Sequence, residues 1–310
     1  DLIALMSGIL NINKPIGFTS FDIVRDIRRG TGEKRVGHAG TLDPLATGVL
    51  VILLGQAVRI SEYLMDLPKS YRATIHLGVA TTTYDAEGDV TSRNDAVVTE
   101  DQLKTALKAF VGEILQAPPA FSALKVDGQR AYALARRGDT PVLKPRPVNI
   151  YRAEVVEFAF PEAVIEVECG RGTYIRSLAH DLGEALGCGA HLSALARTRV
   201  GPFWLERSTI MPDLEQRLAD GTWRDLLDPV DVGLLSLPAV TVPIEDEKDL
   251  RNGRAVTLEA EANAPAPAQH ETEIRAYAED GSYVGILRFD AAANLWKPRK
   301  IFAPEPGRIA

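Results

Sequence analysis

The period of apolar positions changes several times along the chain, and each change predicts an element. Ile9-Leu10-Asn11-Ile12-Asn13 alternates and stops at Lys14-Pro15-Ile16-Gly17, which predicts a short strand and a turn. Thr19-Ser20 offers a helix cap, and Phe21, Ile23, Val24 and Ile27 follow at helical spacing until Gly30-Thr31-Gly32. Val49–Leu54 is apolar throughout and predicts a buried segment, Ile60–Met65 a short helix, and the alternating Tyr71–Gly78 a strand. Thr99 starts a helix through about Val111, with Leu103, Leu107, Phe110 and Val111 on one stripe, and Tyr132–Gly138 also has helical spacing. Val148–Phe160 and Ala163–Cys169 predict a hairpin. The turn Gly170–Arg176 opens a helix over Ser177–Leu186, and Asp213–Leu227 predicts another. The proline-punctuated Leu235–Pro243 predicts a domain boundary. Beyond it, Ala255–Leu258, Thr272–Tyr277, Tyr283–Phe289 and Lys297–Phe302 read as strands of a small barrel or sandwich, with Ala260–Gln269 as an Ala/Pro/Glu-rich loop.

A chain of 310 residues, 45% hydrophobic and 25% charged, fits one large globular domain and a small one. Cys169 and Cys188 are too few for a disulfide scaffold and suit a reducing compartment. No run approaches ~20 apolar residues, so no membrane-spanning segment is expected. The opening Asp1–Gly8 has no basic region followed by a long apolar core, so no secretory leader is expected either. The formal charge of −7 argues weakly against a nucleic-acid partner until its distribution is read. Residues 211–310 carry 11 basic and 18 acidic side chains, so the first 210 residues are neutral and free to present a basic face.

Several chemistries lack their residues. There is no phosphate-cradling Gly-x-x-x-x-Gly-Lys-Ser/Thr, no Gly-x-Gly-x-x-Gly after a strand and no Gly-x-Ser-x-Gly elbow. The five histidines fall at no metal spacing with each other or the cysteines. His180 and Asp181 are helix neighbours that point to different faces, which favours solvated or capping roles. Chemistry without metal, nucleotide or flavin is expected.

The candidate chemistry gathers at Gly37-His38-Ala39-Gly40-Thr41-Leu42-Asp43-Pro44-Leu45-Ala46-Thr47-Gly48. Small residues surround one acid, and Pro44 biases Asp43 toward extended geometry. Such an Asp-Pro is more often a turn former than a reactive group. A working carboxylate needs a partner that holds it, and Arg176, after its own glycine-bearing turn, is a candidate. Tyr71, opening a strand, is a core or edge aromatic on its own.

Taken together, four motifs in order resemble the bacterial tRNA pseudouridine synthases of the TruB family. They are Lys14-Pro15-x-Gly17-x-Thr19-Ser20, the loop at 37–48, Lys69-Ser70-Tyr71 and Arg171-Gly172-Thr173-Tyr174-Ile175-Arg176. The likeness covers most of residues 8–205, including Pro118–Lys125. Leu250–Val256 resembles more loosely the start of a PUA-like RNA-binding module.

The resemblance implies an α+β pseudouridine synthase fold, with a mixed, largely antiparallel central sheet flanked by helices. Residues 1–235 would form the catalytic domain, 120–147 a thumb-like RNA-binding segment within it, and 236–310 a small β-rich PUA-like domain. It implies a cofactor-free enzyme that isomerises uridine 55 in the T loop of tRNA, acting in the cytoplasm as a monomer on the T arm and loop without an obligate protein partner. Asp43 would be the essential carboxylate, Arg176 its partner, and Tyr71 a ring stacked on the uracil and concerned with the C5 proton. His38 would fill the stack that the target vacates, and Tyr174 and Leu195 would line the target pocket. Lys14, Arg35, Lys125, Arg130, Arg136, Arg137, Arg197 and Arg199 become candidate phosphate contacts. Two positions depart from the family pattern: Thr82 stands where an acid is usual, and Val58-Arg59 where Thr-Lys is usual. The alternatives are a guide-RNA-dependent synthase subunit and a non-catalytic protein that binds or folds tRNA.

Overall fold

A computed structural model describes residues 7–120, 125–126, 129–130, 143–258, 269 and 271–303. The first half runs β1 (Gly8–Lys14), α1 (Ser20–Thr31), β2 (Val36–His38), β3 (Ala46–Leu54), α2 (Ser61–Asp66), β4 (Lys69–Leu77), β5 (Val79–Thr81), β6 (Val90–Arg93), α3 (Glu100–Lys108) and β7 (Gly112–Gln116). Short β8 (Lys125–Val126) and β9 (Gln129–Arg130) pair with each other; the rest of 121–142, including the helix expected at 132–138, lies outside the described residues. Then come β10 (Arg146–Ala159), β11 (Glu162–Cys169), α4 (Ile175–Ala185), β12 (Ala190–Val200), β13 (Phe203–Trp204), β14 (Thr209–Ile210) and α5 (Met211–Asp220). The last part is β15 (Ala239–Val242), α6 (Ile244–Arg251), β16 (Glu273–Ala278), β17 (Tyr283–Asp290) and β18 (Leu295–Ile301).

The central sheet has the order β14-β1-β3-β12-β4-β11-β10-β7, with β2 added on β3 and β13 on β12. Its pairs are antiparallel except β1–β14 and β3–β12. β4 alternates buried and half-buried residues along its whole length, as a strand covered mainly on one face should. β3 is different: Leu50, Ile52 and Leu54 join one core under α1 and α4, while Val49, Val51 and Leu53 join a second. That second core also takes in Ile286 and Phe302 from the C-terminal part. Burial on both faces is why 49–54 reads as an unbroken apolar run. β15-β16-β17-β18 form a separate four-stranded sheet.

α1 begins where Thr19 completes a capping box with Asp22 and ends at Gly32 in the left-handed region. Three expectations change. The helix expected over 213–227 stops at Asp220, because Gly221 adopts φ 79°, and Trp223–Leu226 forms a separate short turn. Ala255–Leu258 is not a strand and contributes only the bridge Val256–Trp296. The proline-punctuated stretch contains β15, and α6 follows it with Leu250 its buried residue; the acid run at 245–247 obscures any apolar stripe there. Among the described residues no helix is long and apolar enough to cross a membrane.

One glycine fixes how two strands meet. Gly48 has φ 101°, and a Cβ there would lie 2.2 Å from the carbonyl oxygen of Arg197. Gly48→Ala is therefore expected to cost about 3 kcal/mol, read as a lower denaturant midpoint with an unchanged m-value.

Candidate active site

Three chain segments converge on one guanidinium. Arg176 lies in the first turn of α4, where Gly170–Tyr174 turns the chain out of β11. Its Nε is 3.0 Å from Asp43 Oδ2, and its Nη1 is 3.3 Å from Asp85 Oδ2 and 3.4 Å from the carbonyl oxygen of Thr83. The Arg176 and Asp85 side chains are 6% and 3% exposed, whereas Asp43 keeps 38%. The arrangement thus has a buried clamp and one accessible carboxylate. The contact to Asp85 is a charged hydrogen bond and the contact to Asp43 an ion pair, and together they fix the orientation of the guanidinium.

Asp85 is itself held. Thr83 Oγ1 and the Glu87 amide donate to its Oδ1 at 2.5 and 3.1 Å, and Thr81 Oγ1 donates to its carbonyl oxygen at 2.7 Å. Backbone bonds Ala86 N–H to Leu192 O and Leu192 N–H to Tyr84 O pin this loop to β12. In the sequence it reads as a polar turn, and nothing in its spacing points to Arg176.

The backbone around Asp43 is fastened on both sides. Ser20 Oγ accepts from Leu42 N–H at 2.9 Å and donates to Leu42 O at 3.1 Å. Gly17 N–H donates to Pro44 O at 2.8 Å. Beneath the loop lie cations expected at the surface. Lys14 is fully buried, and its Nζ donates to Pro15 O at 2.9 Å, Phe18 O at 2.7 Å and Pro44 O at 3.5 Å. Arg197 is 1% exposed and donates to Val49 O at 2.7 Å, Gly40 O at 3.0 Å and Thr41 O at 3.5 Å. Neither is a phosphate contact. Both point inward because they continue the buried period of their strands, Lys14 after Leu10 and Ile12, and Arg197 after Leu195. Read strictly, that period would have signalled it.

The other expected residues are placed as follows. Tyr71, on β4 opposite Arg197, is buried; burial raises its phenol pKa, and the adjacent guanidinium of Arg197 only opposes the shift. His38 ends β2, half-buried, and its Nδ1 has no hydrogen-bond partner among the described residues. Burial, then Arg197, lowers its pKa, so the imidazole is neutral at neutral pH. Tyr174 caps α4, with its backbone N–H and C=O held by Gln116 Oε1 at 2.8 Å and Nε2 at 3.1 Å. Gln116, buried on β7, was not anticipated. Leu195 is buried in register between Ala46 and Ala73. Arg35 is exposed beside Glu33, and Arg199 lies over the Trp204 ring at 4.5 Å while donating to Gly201 O. The backbones of Lys125 and Arg130 pair across β8–β9, and Arg136 and Arg137 lie outside the described residues. His180 is not a solvated or capping group; its ring stacks on Tyr84 at 3.9 Å and 10°. Lys69, also buried, donates to Met65 O and Leu67 O at 2.7 and 2.8 Å. Among the described residues no three His, Cys, Asp or Glu side chains gather as a metal site.

A largely antiparallel sheet presenting an arginine-clamped aspartate on a glycine loop is the architecture of a pseudouridine synthase. The crystal structure of a Cbf5-Nop10-Gar1 complex superposes with TM-score 0.75 at 28% identity, over 96% of this chain and 85% of that one. A family model described as TruB family pseudouridylate synthase, N-terminal domain, matches residues 28–175, and one for the tRNA pseudouridylate synthase B C-terminal domain matches 176–235. tRNA pseudouridine synthase B from Dehalococcoides mccartyi is 43% identical over 305 residues, covering 97% of this chain and 99% of that one. The same enzyme from Arthrobacter sp. is 41% identical over 314 residues, covering 98% and 100%. The chain belongs to the TruB family of pseudouridylate synthases.

Two tests follow from the geometry. Asp85→Asn leaves Arg176 with one carboxylate and is expected to lower kcat by about ten- to a hundredfold with KM little changed, because Asp85 positions the clamp without meeting substrate. For His38, the folded pKa lies below the unfolded 6.5. Its contribution is fully present above pH 6.5 and lost as pH falls through the folded value. Denaturant midpoints of His38→Gln should therefore fall less steeply below pH 6.5 than those of the parent.

Proposed function

We propose that the enzyme converts uridine 55 in the T loop of tRNA to pseudouridine, with Asp43 as the reacting carboxylate. The observation that carries this is the pairing of an accessible Asp43 with the buried Arg176 at 3.0 Å. Relatives named tRNA pseudouridine synthase B, alike over nearly their full length, support the substrate class.

The reaction is an isomerisation. N1–C1′ breaks, the uracil turns while bound, C5 bonds to C1′, the C5 proton leaves and N1 gains one. No atom or electron is exchanged with a second substrate, so the task is to hold charge, orient the base and exclude water. Arg176 and Asp85 fix the direction of the Asp43 carboxylate, which reduces the reorganisation left for the reacting complex. The target is extruded from the folded loop, and the neutral His38 ring suits the vacated stack. Tyr71 lies against the uracil as a neutral phenol; its raised pKa makes it a poor general base. A role for Tyr71 at the C5 proton therefore needs a water relay or tuning by the neighbouring Arg197. Tyr174 and Leu195 bound the pocket for the base.

A second reading, a subunit of a larger assembly, draws on the likeness to Cbf5 in its complex with Nop10 and Gar1. The 41–43% identity to the tRNA enzymes, against 25–28% to the Cbf5 chains, favours direct action on tRNA.

Purified full-length protein, given an unmodified T-arm hairpin and no other macromolecule, is expected to form pseudouridine at the T-loop uridine. Asp43→Asn should abolish turnover yet retain hairpin affinity within about threefold, since phosphate and stacking contacts dominate binding. Full activity in Asp43→Asn, or an unmodified hairpin with the parent, overturns the reading.

A further inference from the structure

The segment leading into α1 exposes three large apolar side chains within six residues: Ile16 at 68%, Phe18 at 38% and Phe21 at 60%. Exposed rings of this kind are unremarkable on a loose tip, but this segment is fastened at every step. Lys14 Nζ holds the carbonyl oxygens of Pro15 and Phe18. Gly17 N–H is bonded to Pro44 O, and Ser20 Oγ is bonded twice to Leu42. Thr19 and Asp22 close the capping box beside Phe21. The rings are thus presented on a rigid scaffold tied to the residues immediately before and after Asp43. Large apolar side chains exposed close together along a fastened backbone mark a contact surface.

The neighbouring charges say what kind of contact. Arg25 is committed to Asp22 at 2.9 Å and Asp26 at 3.6 Å, and Arg29 to Asp26 at 3.2 Å. Arg28 donates to Val36 O, and Lys14 is buried. Lys14 and Arg28 are taken up by backbone carbonyls, while Arg25 and Arg29, 56% and 79% exposed, share their surface with Asp22 and Asp26, so this stretch presents mixed charge rather than a basic patch. Two aromatic rings and an aliphatic side chain suit the flat face of a nucleobase. The segment is bonded to Leu42 and Pro44, the residues that flank Asp43, so an RNA that delivers a nucleoside to Asp43 comes close to it, and extruding one nucleotide leaves its neighbours partly unstacked.

We propose that Phe18 and Phe21, flanked by Ile16, form a stacking platform for an unpaired base adjacent to the target uridine. The proposal rests on Asp43 being the reacting carboxylate. It makes the platform a specificity element of that site, taking up a base other than the one modified.

The test compares the full chain with three double variants at positions 18 and 21, to Ala, to Leu and to Trp, using a T-arm hairpin. Circular dichroism melts establish that each is folded, as expected for exposed positions. The Ala pair should weaken hairpin binding about tenfold, read in Kd and KM rather than kcat. The slope of log Kd against log salt should not change, because no phosphate contact is lost. The Leu pair should behave like the Ala pair, and the Trp pair should bind at least as well as the parent. Unchanged affinity in the Ala pair overturns the proposal. So do a shallower salt slope, full rescue by Leu, or loss of self-association or of a protein contact with RNA binding intact. If the parent itself makes no pseudouridine in the hairpin, the functional reading fails separately, since the binding comparison is still scored.

Discussion

The structure depends on one buried guanidinium holding two carboxylates. Arg176 draws Asp43 and Asp85 from loops 42 residues apart and sits on a helix that neither loop belongs to. A buried cluster with two negative charges and one positive is costly unless its surroundings answer it. They do so with Lys14, Lys69 and Arg197, three buried cations around the loop. Each satisfies its protons on backbone carbonyls rather than on acids. Burial, reinforced by the charge of Arg197, brings both lysines down to about 8, while the negative charge of Asp43 holds Lys14 up. Loop shape and site charge meet at Lys14 and Arg197, which hold carbonyls of the loop, while Lys69 holds those of Met65 and Leu67.

The C-terminal sheet belongs to the same economy of charge. It covers the second face of β1 and β3, where Ile286 and Phe302 join Ile9, Val51 and Leu53. Around that contact, Arg59 Nη1 donates to Ile301 O at 2.6 Å, Tyr63 OH to Glu273 at 2.7 Å, and Lys300 pairs with Glu62 at 3.0 Å. Arg288 pairs with Glu271 and Glu273, Lys297 with Asp290 and Arg254 with Asp249. Several acids of this end are thus paired with cations of the same end, and the excess acid stays within residues 211–310. This is why a global charge of −7 has so little bearing on whether the opposite face meets RNA.

What the sequence makes legible follows from period and from motif. β4 alternates along its whole length, and α1 announces itself by Thr19 and Gly32, so both are readable without a structure. Asp43 and Arg176 come from the motif likeness, and their 3.0 Å pairing agrees with it. Asp85 and Gln116 were not legible: each acts across more than 50 residues, and each carries a side chain that is ordinarily solvated. Lys14 and Arg197 were misread because charge was weighed above strand period. A cation two residues beyond a buried aliphatic side chain on the same strand, Ile12 or Leu195, points inward, whatever its usual preference, when carbonyls wait there to receive it.

The same reasoning revises the glycines of the catalytic loop. Read in sequence, they suggest a backbone shaped for close approach of a ligand. In the structure, a Cβ at Gly40 would meet Arg197 Nη1 at 3.5 Å and Lys69 Cε at 3.6 Å, and one at Gly48 would collide with the Arg197 backbone. What approaches these two positions is Arg197, by its guanidinium at Gly40 and by its backbone at Gly48. Gly40 has φ 115° and Gly48 φ 101°, conformations that let their carbonyl neighbourhood fold over the guanidinium. The glycines at 40 and 48 therefore answer to Arg197 packed beneath the loop.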